Sequence, residues 1–355
     1  MTTRRTLLGA SLAAPFLTRR ALAADPLKVA FVYPSPIGDA GWAFQHELGR
    51  RAVDKAYGEA VKTSFVENVS EGADSERVIR KLAADGNQLI FTASFGFMNP
   101  TVKVAAGFPK TEFEHCTGYK RGENLATYSA RFYEGRMLSG TIAGHMTKSK
   151  VVGYVAAFPI PEVLQGINAF TLAAQAVQPG IVVKVVFTSS WFDPGKERAA
   201  ADTLMGQGAD FVTHHCDSTA VVQAGEEKGV YTVGYNSDLS RFGPKTCLTS
   251  VTMDWNAYYI GRVKAAMDHS WKPIDTWGGL GAGMVQMAPL NAAVPAAVAA
   301  EVRAQQAEVA AGTRMAFAGP IKDQAGKERV AAGTSLADKD ILTMNWFVAG
   351  VQGKL

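Results

Sequence analysis

Along the chain, short apolar runs alternate with segments whose apolar residues recur every three or four positions. The run Leu27-Lys28-Val29-Ala30-Phe31-Val32-Tyr33 predicts a buried strand. A Pro/Gly-rich loop over 34–41 follows, and helical periodicity then runs from Trp42 to Tyr57. The same reading gives a strand at 63–66, a helix at 74–85, a strand at 88–93, a helix at 99–106 and a strand at 112–116. Strands alternating with helices predict a parallel sheet covered on both faces.

The pattern then starts afresh. Helix 134–147, strand 151–156, helix 162–178 and strand 182–188 precede helix 195–206, strand 211–214, helix 220–228 and strand 231–235. Gly86-Asn87-Gln88-Leu89-Ile90 and Gly208-Ala209-Asp210-Phe211-Val212 hold equivalent places, each a helix stop followed by a buried strand. The fold class is therefore α/β, with two doubly wound parallel-sheet units in tandem. Beyond Tyr235 no third unit forms. A short strand at 247–251, a helix at 255–269, a strand near 284–288 and an Ala-rich helix at 295–312 are expected. The tail from Gly319 to Leu355 reads as loop with one amphipathic stretch, 337–351. These extra segments imply that the chain passes between the two units more than once.

The first 24 residues change the expected compartment. Thr3-Arg4-Arg5-Thr6-Leu7-Leu8 fits a twin-arginine export pattern, with a plain secretory signal as the alternative. An apolar stretch from Leu7 to Leu17 and the small residues Ala21-Leu22-Ala23 before Ala24 complete a signal peptide, with cleavage expected near Ala23 or Ala24. The apolar stretch falls far short of the roughly 20 residues of a spanning helix. No cysteine near the cleavage site offers a lipid anchor, so a soluble periplasmic protein is expected. The chain carries a formal net charge of +4, and Arg4, Arg5, Arg19 and Arg20 precede the first acid, Asp25. The mature chain is thus near neutral, which argues against nucleic acid or an anionic membrane as partner. About 330 mature residues exceed one ordinary core, so two lobes are expected.

Candidate chemistry is sparse. Cys116, Cys216 and Cys247 are an odd set, so no disulfide framework is expected, although one unspecified pair could bridge. His214-His215-Cys216-Asp217 resembles a metal cluster, but neighbours on a strand point to opposite faces and no second ligand group has zinc-like spacing. No metal and no cofactor is expected. There is no Gly-x-Ser-x-Gly elbow, no Walker loop and no Rossmann glycine fingerprint, and Ser35, Ser94 and Ser218 lack an evident histidine partner. His115 is expected in the core or at a sheet edge. The composition of motifs favours binding over catalysis.

Ligands of open parallel sheets sit beyond the carboxyl ends of the strands. Those ends carry Trp42, Phe95, Phe97, Phe158, Trp191 and Phe192, with Asp39, Asp193, Asp217, Asn236 and Asp238. Aromatic faces suit a flat, π-rich ligand, stacking being worth about 0.5–1.5 kcal/mol beyond burial. Asp and Asn suit its N–H donors. Asp193-Pro194 reads first as a helix cap, as do Ser218 and Thr219. Trp42 and Trp191, beside small residues at loop-to-helix junctions, are the stronger ligand candidates.

Several segments are similar to the basic-membrane-protein family of substrate-binding proteins, the purine-nucleoside receptor group of ABC importers. They are Val29-Ala30-Phe31-Val32 through Gly38-Asp39-Ala40-Gly41-Trp42, Phe132-Tyr133-Glu134-Gly135, Trp191-Phe192-Asp193-Pro194-Gly195-Lys196 and Gly234-Tyr235-Asn236-Ser237-Asp238. The resemblance covers nearly the whole mature chain. It implies a type I periplasmic-binding fold: two lobes, a three-strand hinge, and a ligand caught by closure. It assigns residues 25–130 with 250–275 to the N-terminal lobe and 131–249 with 276–355 to the C-terminal lobe. It also implies that Trp42 and Trp191 sandwich a base and that Asp238 contacts it. Nucleoside-binding members carry an Asp after the first strand, a lysine after the Thr-Ser-Val strand and an Asn after the first-loop aromatic. Here Tyr33-Pro34, Met253 and Ala43 stand there.

The expectation is a monomeric binding protein that delivers a purine-type ligand to an ABC permease. A free base such as adenine or hypoxanthine is favoured over a nucleoside, because the missing polar groups suit a ribose. Trp42 and Trp191 would clamp the ring, Asp217, Asn236 and Asp238 would read its edge, and Phe95 and Phe158 would exclude water. An exported nucleoside-processing enzyme and a receptor-docking sensor are the competing classes.

Overall fold

The computed structural model describes residues 25–355; the export segment read at 1–24 lies outside them. The first lobe opens with β1 (Leu27–Val32), α1 (Trp42–Tyr57), β2 (Val61–Val66), α2 (Ala73–Ala84) and β3 (Leu89–Thr92), followed by α3 (Met98–Gly107), β4 (Glu112–Cys116) and β5 (Leu125–Ala130). At Arg131 the chain crosses into the second lobe. There it forms α4 (Phe132–Met146), β6 (Val151–Ala156), α5 (Pro161–Val177), β7 (Val182–Phe187) and α6 (Pro194–Gly206), then β8 (Phe211–His215), α7 (Ala220–Lys228), β9 (Tyr231–Asn236) and β10 (Cys247–Met253). It returns to the first lobe for α8 (Asn256–Met267) and β11 (Asp275–Gly278). A third crossing leads to β12 (Val285–Met287), α9 (Ala296–Ala310), β13 (Ile321–Lys322), β14 (Glu328–Val330), α10 (Asp338–Leu342) and β15 (Val351–Gln352).

The first sheet has the order β2-β1-β3-β4-β5-β11, all parallel. The second has the order β15-β7-β6-β8-β9-β10-β12, parallel except for β12, which runs antiparallel to β10. In each lobe the strand order reverses beside the lobe's first strand, between β1 and β3 and between β6 and β8. Helices cover both faces, so the central strands are apolar throughout: Val29, Ala30, Phe31 and Val32 are all buried. Pro161 and Pro194 open α5 and α6 in the first helical turn, where a missing N–H costs nothing. The three crossings lie side by side. Arg131 N–H donates to Gly278 O at 2.8 Å, and Asp254 N–H donates to Met284 O at 3.2 Å.

Several elements differ from the sequence reading. Strands β5 and β11 lie in stretches to which the sequence reading assigns no element. β10 continues to Met253, pairing Val251 with Met287 and Met253 with Val285, so residues 250–253 belong to the second sheet rather than the N-terminal lobe. Asp275–Gly278 pair with 127–130, so residues 276–278 belong to the first sheet rather than the C-terminal lobe. The amphipathic stretch 337–351 is helical only over Asp338–Leu342; α10 packs on α5 and the chain then runs as an extended edge. Among the described residues no helix is long and apolar enough to cross a membrane.

Candidate functional site

The carboxyl ends of the two sheets face each other across a partly open cavity of about 40 Å³, at the place where such sheets bind small molecules. Its walls come from the loops at the strand-order reversals, where crevices open in sheets of this kind. The first lobe supplies Pro34 and Trp42 after β1, Ser94 and Phe95 after β3, and Thr117 after β4. The second lobe supplies Glu162 after β6, Trp191 after β7, Cys216 and Asp217 after β8, with His215, Tyr235 and Asn236 at the ends of β8 and β9.

Helix α1 has no capping side chain of its own. Its cap comes from the opposite lobe: the Asp217 carboxylate accepts the backbone N–H of Trp42 and, at 2.5 Å, the hydroxyl of Ser35. A carboxylate at a helix N-terminus satisfies free amides and complements the macrodipole. Ser237 adds a second cross-lobe contact, accepting from Gly41 N–H at 2.8 Å and Gln45 Nε2 at 3.0 Å. Burial pushes the Asp217 carboxyl up to about 6, against the pull of the Ser35, Trp42 and Asn236 donors.

Both indoles that line the cavity have their N–H groups engaged. Trp42 Nε1 donates to Ala93 O at 2.7 Å, and Trp191 Nε1 donates to Glu71 Oε1 at 3.1 Å. Glu71 belongs to the first lobe, and the same oxygen accepts Ser94 Oγ at 2.6 Å and Gly96 N–H at 3.0 Å. Neither indole N–H is therefore free to donate into the cavity. Phe158 supports Trp191 edge-on, with centroids 5.0 Å apart.

The polar side of the cavity is less fully paired. Tyr235 Oη and Asn236 Oδ1 are buried without a protein partner. Asn236 adopts φ 67°, a left-handed conformation that asparagine tolerates better than most residues. Glu162, in the first turn of α5, places Oε1 3.5 Å from His215 Nε2. Burial pushes its carboxyl up to about 8. Burial, helped by the nearby Arg136 charge, holds His215 well below the ordinary histidine range, so it is neutral. Among the described residues no lysine or arginine lines the cavity.

The sequence-predicted residues separate accordingly. Trp42, Trp191, Phe95, Asp217 and Asn236 converge on the cavity. Phe158 stands behind Trp191 instead of on the wall. Asp238 is exposed and accepts the Ser240 N–H at 3.0 Å, a local turn contact away from the cavity. Phe97 is buried in the first-lobe core and Phe192 is exposed. Asp193 caps α6, accepting from Lys196 N–H at 3.0 Å. His115 is buried, its Nε2 2.9 Å from Ser94 O. Cys116, Cys216 and Cys247 are buried free thiols. Ser35, Ser94 and Ser218 each bond a carboxylate, of Asp217, Glu71 and Glu197 respectively. Sequence reasoning missed Glu162 and His215. A first-turn acid ordinarily complements the helix dipole, and a strand-end histidine is ordinarily core; the pairing of β6 with β8 inside the second lobe brings both to one wall.

Two lobes of this topology, hinged by three crossings over a cavity, define the type I periplasmic-binding fold. The chain belongs to the Bmp family, the PnrA-like ABC transporter substrate-binding proteins, which its residues 27–313 match. It is 47% identical over 346 residues to a purine-binding protein of Brucella abortus, covering 98% of this chain and 99% of that one. It is 35% identical over 331 residues to a putative ABC transporter glucose-binding protein of Haloferax volcanii, covering 93% and 82%. An ABC-transporter solute-binding protein of Aeropyrum pernix superposes with TM-score 0.70 at 17% identity, over 84% of this chain and 93% of that one.

Proposed function

We propose that this chain is an exported, non-enzymatic binding protein that captures a purine-type ligand between its lobes and hands it to an ABC permease. The observation that carries the reading is the presence of two indoles, one from each lobe, on the wall of one cavity. Their N–H groups are engaged, which leaves π-faces for a flat heterocycle. The purine-binding name of the Brucella relative supports the ligand class. A free base is favoured over a nucleoside. Tyr33, Ala43 and Met253 are buried in one core cluster, the Tyr33 hydroxyl donating to Glu47, and offer no free polar group to a ribose. Closure would bury the ligand, and the closed form would dock on the permease, which spends the ATP.

A thermal-shift screen of adenine, hypoxanthine, guanine, their nucleosides, glucose and amino acids, followed by calorimetry, tests this. Free bases are expected to raise the melting temperature most, since a roughly 100-fold excess over Kd adds ~2.7 kcal/mol. A response to glucose alone, or release of free base from a nucleoside, would overturn the reading.

A further inference from the structure

The aromatic clamp explains affinity for a flat ring but not which ring. The cavity wall facing the indoles carries one carboxyl group, Glu162, that makes no cross-lobe clasp and has no cation beside it. Among the described residues its one ion-pair neighbour is the imidazole of His215, 3.5 Å away, and the Glu162 side chain keeps 17% of its surface exposed; the buried Arg136 of α4 lies over the Tyr235 ring and donates to Thr213 and His214 instead. The N-terminus of α5 offers partial positive charge, yet burial dominates at this position. An ionised carboxylate there would have no counter-ion, which makes the neutral acid the stable form.

A neutral carboxyl differs from a carboxylate in what it recognises. It presents one O–H donor beside one acceptor, the same pair that an Asn or Gln amide presents to the adenine edge. A carboxylate only accepts. We infer that Glu162 reads the bound heterocycle as a neutral acid, selecting an edge with one donor next to one acceptor, as adenine presents, over the paired donors that guanine offers a carboxylate. This rests on the purine reading above.

The other titratable groups facing Glu162 leave a clear window. From β8, His215 is held well below its ordinary range and Cys216 well above. From β9 and β4, Tyr235 and Cys116 are pushed well above theirs by burial. Asp217 titrates at about 6, and Glu197, behind it on Ser218, at about 7. Glu162, at about 8, is the group whose ionisation falls between pH 7 and 9.

Calorimetry with adenine and guanine at pH 7, 8 and 9 on the wild-type protein, Glu162→Gln and Glu162→Ala tests the inference. Glu162→Gln keeps a donor beside an acceptor and cannot titrate. Adenine is expected to bind about tenfold more weakly at pH 9 than at pH 7 in the wild type. It should bind with a pH-independent affinity in Glu162→Gln, and at least tenfold more weakly than wild type in Glu162→Ala at pH 7. Guanine should bind more weakly than adenine at pH 7. Repeating the pH 8 titrations in buffers of different ionisation enthalpy should reveal proton uptake in the wild type and none in Glu162→Gln. Adenine binding that is flat across this range in the wild type, or lost in Glu162→Gln as in Glu162→Ala, would overturn the inference and leave the purine reading standing. No binding of adenine, guanine, hypoxanthine or their nucleosides, by calorimetry at two temperatures and by thermal shift, would overturn the purine reading and this inference with it.

Discussion

The carboxylate of Asp217 on the second lobe accepts the Ser35 hydroxyl of the first at 2.5 Å. With the Trp42 amide on the same carboxylate, this contact ties helix α1 to the far wall of the cleft. Asp217 therefore acts on closure, and its value to a ligand is indirect. Replacing it with alanine removes the acceptor of three donors, the Asn236 amide in its own lobe and the Ser35 hydroxyl and Trp42 amide across the cleft, at a cost of about 1–3 kcal/mol in the closed form. Asp217→Ala is expected to lower ligand affinity by roughly 5- to 150-fold, and Asp217→Asn, which keeps one acceptor, by less. Small-angle scattering on the ligand-saturated variants should show a more open molecule for Asp217→Ala. Unchanged affinity in both would remove Asp217 from the closing mechanism.

Gly41 stands where the two lobes come closest. Its φ is 101°, outside the range that L side chains adopt readily, and a Cβ there would press directly on the Asp217 carboxylate. Gly41→Ala therefore carries two penalties: local strain in either state, and a clash that exists only when the lobes are shut. The expected result is at least a tenfold loss of affinity, with a melting temperature of the ligand-free protein that moves much less than the ligand-bound one. Equal shifts in both states would mean that the residue matters to the fold and not to closure.

The tandem α/β architecture was legible because it rests on local signals. Helix α1 was read from Trp42 to Tyr57 and strands β4 and β6 at their observed bounds, since each has clean periodicity between Gly, Pro or polar breaks. Strand β5, Leu-Ala-Thr-Tyr-Ser-Ala, was not, because it is buried on both faces without the continuous apolar run that signals burial. β11 has only four residues and is a strand only because residues 127–130 lie beside it. The site divided in the same way. Trp42 and Trp191 were visible as large aromatics at helix-entering loops. Asp217 was visible as a polar strand end, though as a reader of ligand and not as the cap of a helix in the other lobe. Glu162 gave no sign, because a first-turn acid is an ordinary helix feature and its burial beside His215 is set by tertiary packing.

The clamp itself makes the most direct prediction. Trp42 and Trp191 sit on opposite lobes, each with its N–H held, so their contribution to binding is ring contact. Trp42→Ala and Trp191→Ala are each expected to reduce affinity at least tenfold by calorimetry, in line with roughly 1–3 kcal/mol per base–aromatic stack. Phenylalanine should restore most of the loss at Trp42. At Trp191 it should restore less, because the cross-lobe bond to Glu71 goes with the indole. Phe158→Ala, which removes only the support behind Trp191, should cost less than either. Unchanged binding in both alanine variants would reject the sandwich.

Burial at the cavity also predicts how the ligand-free protein responds to pH. Glu162, at about 8 against an ordinary 4.5, binds its proton more tightly in the folded state than in the unfolded chain. A raised carboxyl stabilises the fold fully below its unfolded value, and that stability is lost as pH rises through the folded one. Asp217 at about 6 and Glu197 and Glu112 at about 7 have the same sign. The buried histidines His46, His115, His214 and His215, held below their ordinary value, have the opposite sign up to about pH 6.5, so differential scanning calorimetry should show the wild-type melting temperature falling between pH 7 and pH 9. Glu162→Gln replaces a buried ionisable acid with an amide of similar shape. It should melt within about two degrees of wild type at pH 5, where Glu162 is neutral in the folded state and only the unfolded chain has begun to ionise, and several degrees higher at pH 9. The same offset at both pH values would mean that the substitution acts through packing, and that the carboxyl of Glu162 is not the group carrying the proton.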